Sequence, residues 1–327
     1  MIGLEIQDHR LRITQQEWTR RGISKISSTQ IDLEEGVIHQ GQIQDPFIVA
    51  SMIKEKIPIL QGKQLGVAIN TPHFKRIVYH TGSEESRHAF FEEQIQRSHR
   101  FIDTPFEWEA IPTHTDQTRG RYLLTAMSKA SKQSVQKLTQ LLATETSSLS
   151  LAPISELMGL QYFRHDPFAA LIITDQKMII ALWDDSGLAF IIEFPLSEDF
   201  NAQTSEFKQT LAQLKLTLYT YLDQAPGASL PSQWLISARQ NPHALSFYEQ
   251  FQETQHEWHC EWLQKDSIQS VLDPKSKFKP SINRTWLTHI GLGIQVQGLT
   301  QTRPSPRPSL AQILKTLLKK TKLVNQV

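Results

Sequence analysis

Met1-Ile2-Gly3-Leu4-Glu5-Ile6-Gln7-Asp8-His9-Arg10-Leu11-Arg12-Ile13-Thr14 opens the chain, and its reading decides the fold. Ile2, Leu4 and Ile6, then Leu11 and Ile13, alternate with smaller or polar residues, the period of strands with one buried face. The polar break Gln7-Asp8-His9-Arg10 predicts the turn of a hairpin. A third strand is expected over Ile23 to Leu33. Asp45-Pro46 then carries the signature of a helix start, an N-cap carboxylate followed by proline at the first helical position. The helix would bury Phe47, Val49, Ala50, Ile53 and Ile57, and Leu65 to Ile69 reads as a short buried strand.

Working outward, strand and helix patterns recur. Arg76–His80 reads as a strand, Ser83–His99 as a helix capped by Ser83, Trp108–Pro112 and Tyr122–Met127 as strands, and Lys129–Ala143 as a helix. Residues 146–151 form another expected strand and Pro153–Leu160 a helical turn. A second lobe is expected from Asp166-Pro167: a meander of Ala169–Thr174, Met178–Trp183 and Leu188–Phe194, then a long helix over Ser205–Asp223. Trp234–Ser237 and Trp258–Leu263 read as strands around a helix at Pro242–Gln252. Ile282–Ile290 is expected to form a last helix running into Gly291-Leu292-Gly293. Strands followed by helices, twice over, predict two α/β lobes. The expected units are a first lobe at 1–72, an inserted α/β subdomain at 73–145, a return at 146–165, a shortened second lobe at 166–281, a closing helix at 282–295, and a tail at 296–327. In the tail, Arg303-Pro304-Ser305-Pro306-Arg307-Pro308 is an extended spacer. Beyond it Leu310, Ile313, Leu314, Leu317 and Leu318 recur at helical spacing beside Lys315, Lys319, Lys320 and Lys322, the pattern of a basic amphipathic helix suited to an anionic membrane surface.

Composition excludes several classes. A net charge of +1 offers no basic excess for nucleic acid. The single cysteine, Cys260, forbids an internal disulfide and suits a reducing compartment. The first residues lack the basic start and apolar run of a secretory signal. The longest apolar stretch, Ala169 to Ile192, is interrupted by Thr174-Asp175-Gln176-Lys177 and Asp184-Asp185, so no membrane span is expected. His256-Glu257-Trp258-His259-Cys260 gathers metal-ligating types, but on a strand His259 and Cys260 face opposite ways, and no metal site is expected. Hydrolase, P-loop and zincin motifs are lacking. Cys260, among tryptophans, reads as a buried inert thiol.

A hairpin, a third strand and a helix, repeated, is the plan of the actin/Hsp70/sugar-kinase fold. Within it the chain resembles the PilM family of actin-like pilus assembly proteins. Gly3-Leu4-Glu5-Ile6 with Leu11-Arg12-Ile13 resembles that family's opening strands. Glu35-Gly36-Val37-Ile38-His39-Gln40-Gly41-Gln42-Ile43-Gln44-Asp45-Pro46 is similar to the segment leading into its first helix. The stretch Glu84 to Glu107, ending Phe101-Ile102-Asp103-Thr104-Pro105-Phe106-Glu107, and the stretch Asn283 to Gly293 match in order and spacing. The resemblance implies an actin-like fold of two RNase-H-like lobes with an insertion in the first. It also implies a cytoplasmic protein peripheral to the inner membrane, in contact with other pilus platform and motor proteins. Its partner would be a PilN-like bitopic membrane protein, whose N-terminal cytoplasmic peptide lies in a groove where residues 73–145 meet residues 1–70.

The departures from the family bear on nucleotide. Glycine-bearing turns let backbone N–H groups approach phosphate. Here the first turn is Gln7-Asp8-His9-Arg10, the second Thr174-Asp175-Gln176-Lys177-Met178, and Ile236-Ser237-Ala238-Arg239-Gln240-Asn241 replaces the adenosine glycines. Glu5, Gln7 and Arg12 occupy positions matching the first phosphate loop and are expected to be non-functional, with Arg12 a solvated strand charge. The second lobe also lacks the family's small insertion before the Ser205 helix. The reading is a pseudo-ATPase scaffold without cofactor. The alternatives are a functional ATPase using ATP and magnesium, or a component of the MshI or GspL type from a mannose-sensitive pilus or a type II secretion system.

Overall fold

The computed structural model describes residues 1–19, 22–58, 60, 62–70, 73–98, 101, 104–115, 120–161, 166–173, 177–196, 205–224, 229–238, 248–249, 251–253, 259–262 and 286–296. The opening hairpin is β1 (Ile2–Gln7) with β2 (Arg10–Thr19), antiparallel in the register Leu4 opposite Ile13 and Glu5 opposite Arg12. β3 (Gly22–Asp32) extends it. A minimal hairpin, β4 (Ile38–His39) and β5 (Gln42–Ile43), leads into α1 (Pro46–Lys56) and β6 (Gln64–Ile69), which returns parallel to β1.

Asp45 caps α1 as the sequence predicts, its Oδ1 accepting from the N–H groups of Phe47 at 2.9 Å and Ile48 at 3.2 Å. One expectation fails there. Pro46, Val49, Ala50 and Ile53 form the buried i, i+3, i+4, i+7 stripe, so Phe47, one residue round the helix, is turned outward and 60% exposed. Its ring carries the Lys137 ammonium at 5.1 Å.

Next come β7 (His73–His80), α2 (Glu84–Gln96), β8 (Phe106–Thr115) and β9 (Gly120–Ser128). The strands form a separate antiparallel sheet ordered β7-β9-β8. One of its faces buries Phe74, Val78, Tyr122 and Leu124 against Phe91 and Ile95 of α2. α3 (Lys129–Leu141), capped by Ser128, sends Val135 and Leu138 into the core of the first sheet, as does Leu142 just beyond it. β10 (Glu145–Leu151) then pairs parallel to β6, and α4 (Ala152–Gln161) leads out.

The second lobe repeats the first. β11 (Phe168–Ile173), β12 (Lys177–Asp184) and β13 (Gly187–Pro195) form an antiparallel meander. α5 (Ser205–Gln224) follows, then β14 (Gln233–Ala238) and β15 (His259–Trp262), both parallel to β11 in direction. The sheets are ordered β10-β6-β1-β2-β3 and β13-β12-β11-β14-β15. In both, the first strand sits in the middle, the hairpin lies to one side, and two parallel strands lie to the other. This duplication is the actin-like architecture. β13 ends at Pro195 and α5 begins at Ser205, so only a short connection stands where a subdomain could be inserted.

α6 (Trp286–Val296) closes the described chain by packing on α4 and the first sheet. The sequence reads this helix as running into Gly291-Leu292-Gly293, within a closing unit at 282–295. It continues through both glycines to Val296, and at both of them a neighbour presses close. A Cβ at Gly291 would lie 1.7 Å from the Ser155 carbonyl oxygen, and one at Gly293 would lie 2.4 Å from the Trp18 ring. α4 is buried along almost its whole length, including Glu156, since it runs between α6 and the second lobe.

Candidate functional site

The first sheet has one apolar and one polar face. Leu4, Ile6 and Val67 point to α1 and α3. The alternate residues Gly3, Glu5, Arg12, Thr14 and Gln16 point the other way, under α6. Glu5 is fully buried, with Arg12 Nη1 at 3.7 Å and His289 Nε2 at 3.7 Å from its Oε2. Gln7 Nε2 donates to Glu5 Oε1 at 3.0 Å. Gln16 Nε2 donates to the His289 carbonyl at 2.9 Å and accepts at Oε1 from the Trp18 indole at 2.8 Å, which ties α6 down over this face. The expectation that Arg12 is a solvated charge is corrected: it is 6% exposed, because α6 covers the strand.

The first turn is engaged as well. Asp8 Oδ1 accepts from the Gly41 N–H at 2.8 Å, and the His9 carbonyl accepts from the Leu33 N–H at 3.0 Å. Gln40 and Gly41 both have positive φ, which turns the Gly41 N–H toward Asp8. The turn at Thr174-Asp175-Gln176 and the residues Arg239-Gln240-Asn241 lie outside the described residues, as do His256, Glu257 and Trp258. His259 is exposed and Cys260 buried, on opposite faces of β15. Burial pushes the Cys260 thiol up to about 11, which leaves it protonated and unreactive at neutral pH.

A groove lies between the small sheet and the first lobe. Among the described residues, β8 is an edge strand of one sheet and β10 an edge strand of another, and both line a cavity of about 620 Å³. Ile111 and Met127 form one wall, and Leu149, Ile154 and Met158 the other. Glu107 and Glu109 stand on the β8 side, and Lys132 of α3 forms an ion pair with Glu107. At one end Gln295 of α6 donates to Ser150 Oγ at 3.3 Å and accepts from Ser148 Oγ at 2.8 Å. At the other, Ile111, Ile154 and Met158 also line an adjoining cavity of about 340 Å³, which reaches Trp183 and Leu188 of the second lobe. Unpaired strand edges carry rows of free N–H and C=O groups, so the groove can take an extended chain by strand addition while its apolar walls take side chains. The sequence places the groove at the meeting of 73–145 with 1–70 but names no lining residue. The second wall is in fact β10 and α4, because β6 separates β1 from that edge.

The small sheet is fastened to the second lobe. Arg121 of β9 makes a two-pronged contact with Asp184 of β12, Nη1 to Oδ2 at 2.6 Å and Nη2 to Oδ1 at 2.9 Å. Burial opposes both charges. The mutual hydrogen bonds and attraction outweigh it, lowering the Asp184 carboxyl and raising the Arg121 guanidinium relative to their ordinary values. Lys75 of β7 pairs with Glu193 of β13, which also meets Lys177 at 3.0 Å.

No protein-family model and no curated protein sequence matches the chain. Among solved structures, one described as "PilM-PilN type IV pilus biogenesis complex" superposes with a TM-score of 0.67 at 14% identity, over 90% of this chain and 98% of that one. The cytoplasmic domain of EpsL, an inner membrane component of the type II secretion system of Vibrio cholerae, gives a TM-score of 0.44 at 7% identity, over 89% and 94% of the two chains. Ethanolamine utilization protein EutJ from Carboxydothermus hydrogenoformans gives 0.43 at 9% identity, over 90% and 88%. With the duplicated sheets and the small sheet beside the first of them, the first of these likenesses establishes that the chain has the actin-like fold in the form seen in the PilM–PilN complex.

Proposed function

We propose that this chain is a scaffold of a type IV pilus assembly platform. It holds the cytoplasmic N-terminal peptide of a PilN-like bitopic membrane protein in the groove between β8 and β10, without turning over ATP. The observation that carries the reading is the pair of edge strands, without a further strand partner among the described residues, that line one apolar groove in a chain with the fold of a protein solved with PilN. The peptide's backbone pairs with β10 or β8, and its side chains settle among Leu149, Met127 and Met158. Bound in this way, the protein sits on the cytoplasmic face of the inner membrane through its partner. No described helix is long and apolar enough to cross a membrane. Further contacts to motor and platform proteins belong to the same proposal.

Three observations favour a scaffold over an ATPase. Asp8, in the turn that would cradle phosphate, is spent on the Gly41 backbone. That turn has no glycine. Glu5 and Arg12, which would meet cation and phosphate, are paired with each other beneath α6. A secretion-system or mannose-sensitive-pilus component would share this fold and differ in its partner.

The test is a fluorescence-anisotropy titration of the labelled N-terminal peptide of a PilN-type protein from the same organism. Saturable binding is expected, weakened at least about tenfold, roughly 1.4 kcal/mol, by Leu149→Arg in a protein that melts normally. Absence of binding, or binding indifferent to Leu149→Arg, would contradict the proposal.

A further inference from the structure

The described chain ends in the groove. Gln295, one residue before the end of α6, forms part of the groove wall and bonds to Ser148 and Ser150. Val296, after which residues 297–327 follow in sequence, therefore lies beside the site. Those residues contain Arg303, Arg307, Lys315, Lys319, Lys320 and Lys322 and no acidic residue. The groove presents Glu107 and Glu109, with Asp185 in the adjoining cavity, against the single base Lys132. Its apolar wall includes Met127 and Met158, side chains that adapt to varied partners. In the tail, Leu310, Ile313, Leu314, Leu317 and Leu318 supply an apolar stripe at helical spacing beside the lysines. Val296 and Leu310 are 14 positions apart in the sequence, enough to reach about 48 Å when extended. The tether does not limit the return.

We infer that residues 310–324 of this chain dock back into the groove between β8 and β10 and occupy it until a partner peptide displaces them. The inference rests on the reading of the groove as a peptide site and adds its regulation. A segment tied to the mouth by a short linker acts at an effective concentration of order 1 mM. A tail that binds with a dissociation constant of about 0.1 mM would then fill the groove in most molecules and weaken any competitor about tenfold.

The probe is a labelled synthetic peptide of residues 308–324, titrated into the full chain and into a full chain carrying Leu314→Asp and Leu317→Asp. Binding is expected to be about tenfold tighter to the substituted chain, whose own tail no longer competes. In that background, Glu107→Gln with Glu109→Gln should weaken the peptide several-fold, and Leu149→Arg should abolish binding. The PilN-type peptide should likewise bind the tail-substituted chain about tenfold more tightly than the native one. If it binds both equally and the 308–324 peptide binds neither, the tail inference is overturned while the groove survives as a partner site. If neither peptide binds either chain, both readings fall. Sedimentation of the native chain, but not the tail-substituted one, with phosphatidylglycerol vesicles, together with no groove binding of 308–324, would assign the tail to the membrane and overturn the inference.

Discussion

Gly291 is the residue at which α6 crosses α4. It lets α6 cross α4 with backbone against backbone, and a methyl group there would run into the Ser155 carbonyl at 1.7 Å. Backbone cannot yield as a flexible side chain can, so Gly291→Ala should cost at least about 3 kcal/mol, the upper end for overpacking. Chemical denaturation will measure it; a loss below about 1 kcal/mol would mean that the crossing is looser than described. Two other residues show what sequence can and cannot convey at this scale. Glu5 and Arg12 were recognisable as residues of the opening strands. Their burial under α6 was not, because it depends on a helix nearly 280 positions further along the chain. The N-capping role of Asp45 was legible because it acts on N–H groups two and three residues away.

Among the elements, the small sheet is the part held by charge. Arg121 and Asp184 join β9 to β12, and the Asp184 carboxyl sits below its ordinary value because Arg121 bonds to it and attracts it, against the opposing effect of burial. A carboxyl lowered by folding contributes stability that is complete above the unfolded value, near 3.9, and is lost as pH falls through the lower native value. Asp184 is nearly half exposed, which limits the contribution to about 1 kcal/mol. The difference in stability between the native chain and Asp184→Ala should therefore be constant from pH 7 to 5 and close below about pH 4. A difference that persists at pH 2 would show that packing, not charge, joins these strands. The strands themselves were legible to within a few residues, since alternation and polar turns are local signals. What the glycines of α6 answer was not, because Gly291 meets α4 at Ser155, a close crossing between residues far apart in the chain that no local signal shows.

At the scale of the whole molecule, the repeat of hairpin, third strand and helix disclosed two lobes, because topology follows from element order and short connections. The groove's lining stayed hidden, because β8 and β10 meet only once two sheets are placed side by side. With Glu5 covered and Asp8 engaged, millimolar Mg-ATP should leave the melting temperature unchanged. A ligand at a hundred times its dissociation constant would add about 2.7 kcal/mol and raise it by a few degrees, restoring the ATPase reading. The central claim, that one of the two edge strands receives a partner's peptide, is tested most directly by amide hydrogen exchange of the full chain with and without the PilN-type peptide. The account predicts slowed exchange along Phe106–Thr115 or Glu145–Leu151, whichever edge takes the peptide, with the second lobe unaffected. Protection confined to the second lobe, or none at saturating peptide, would contradict it.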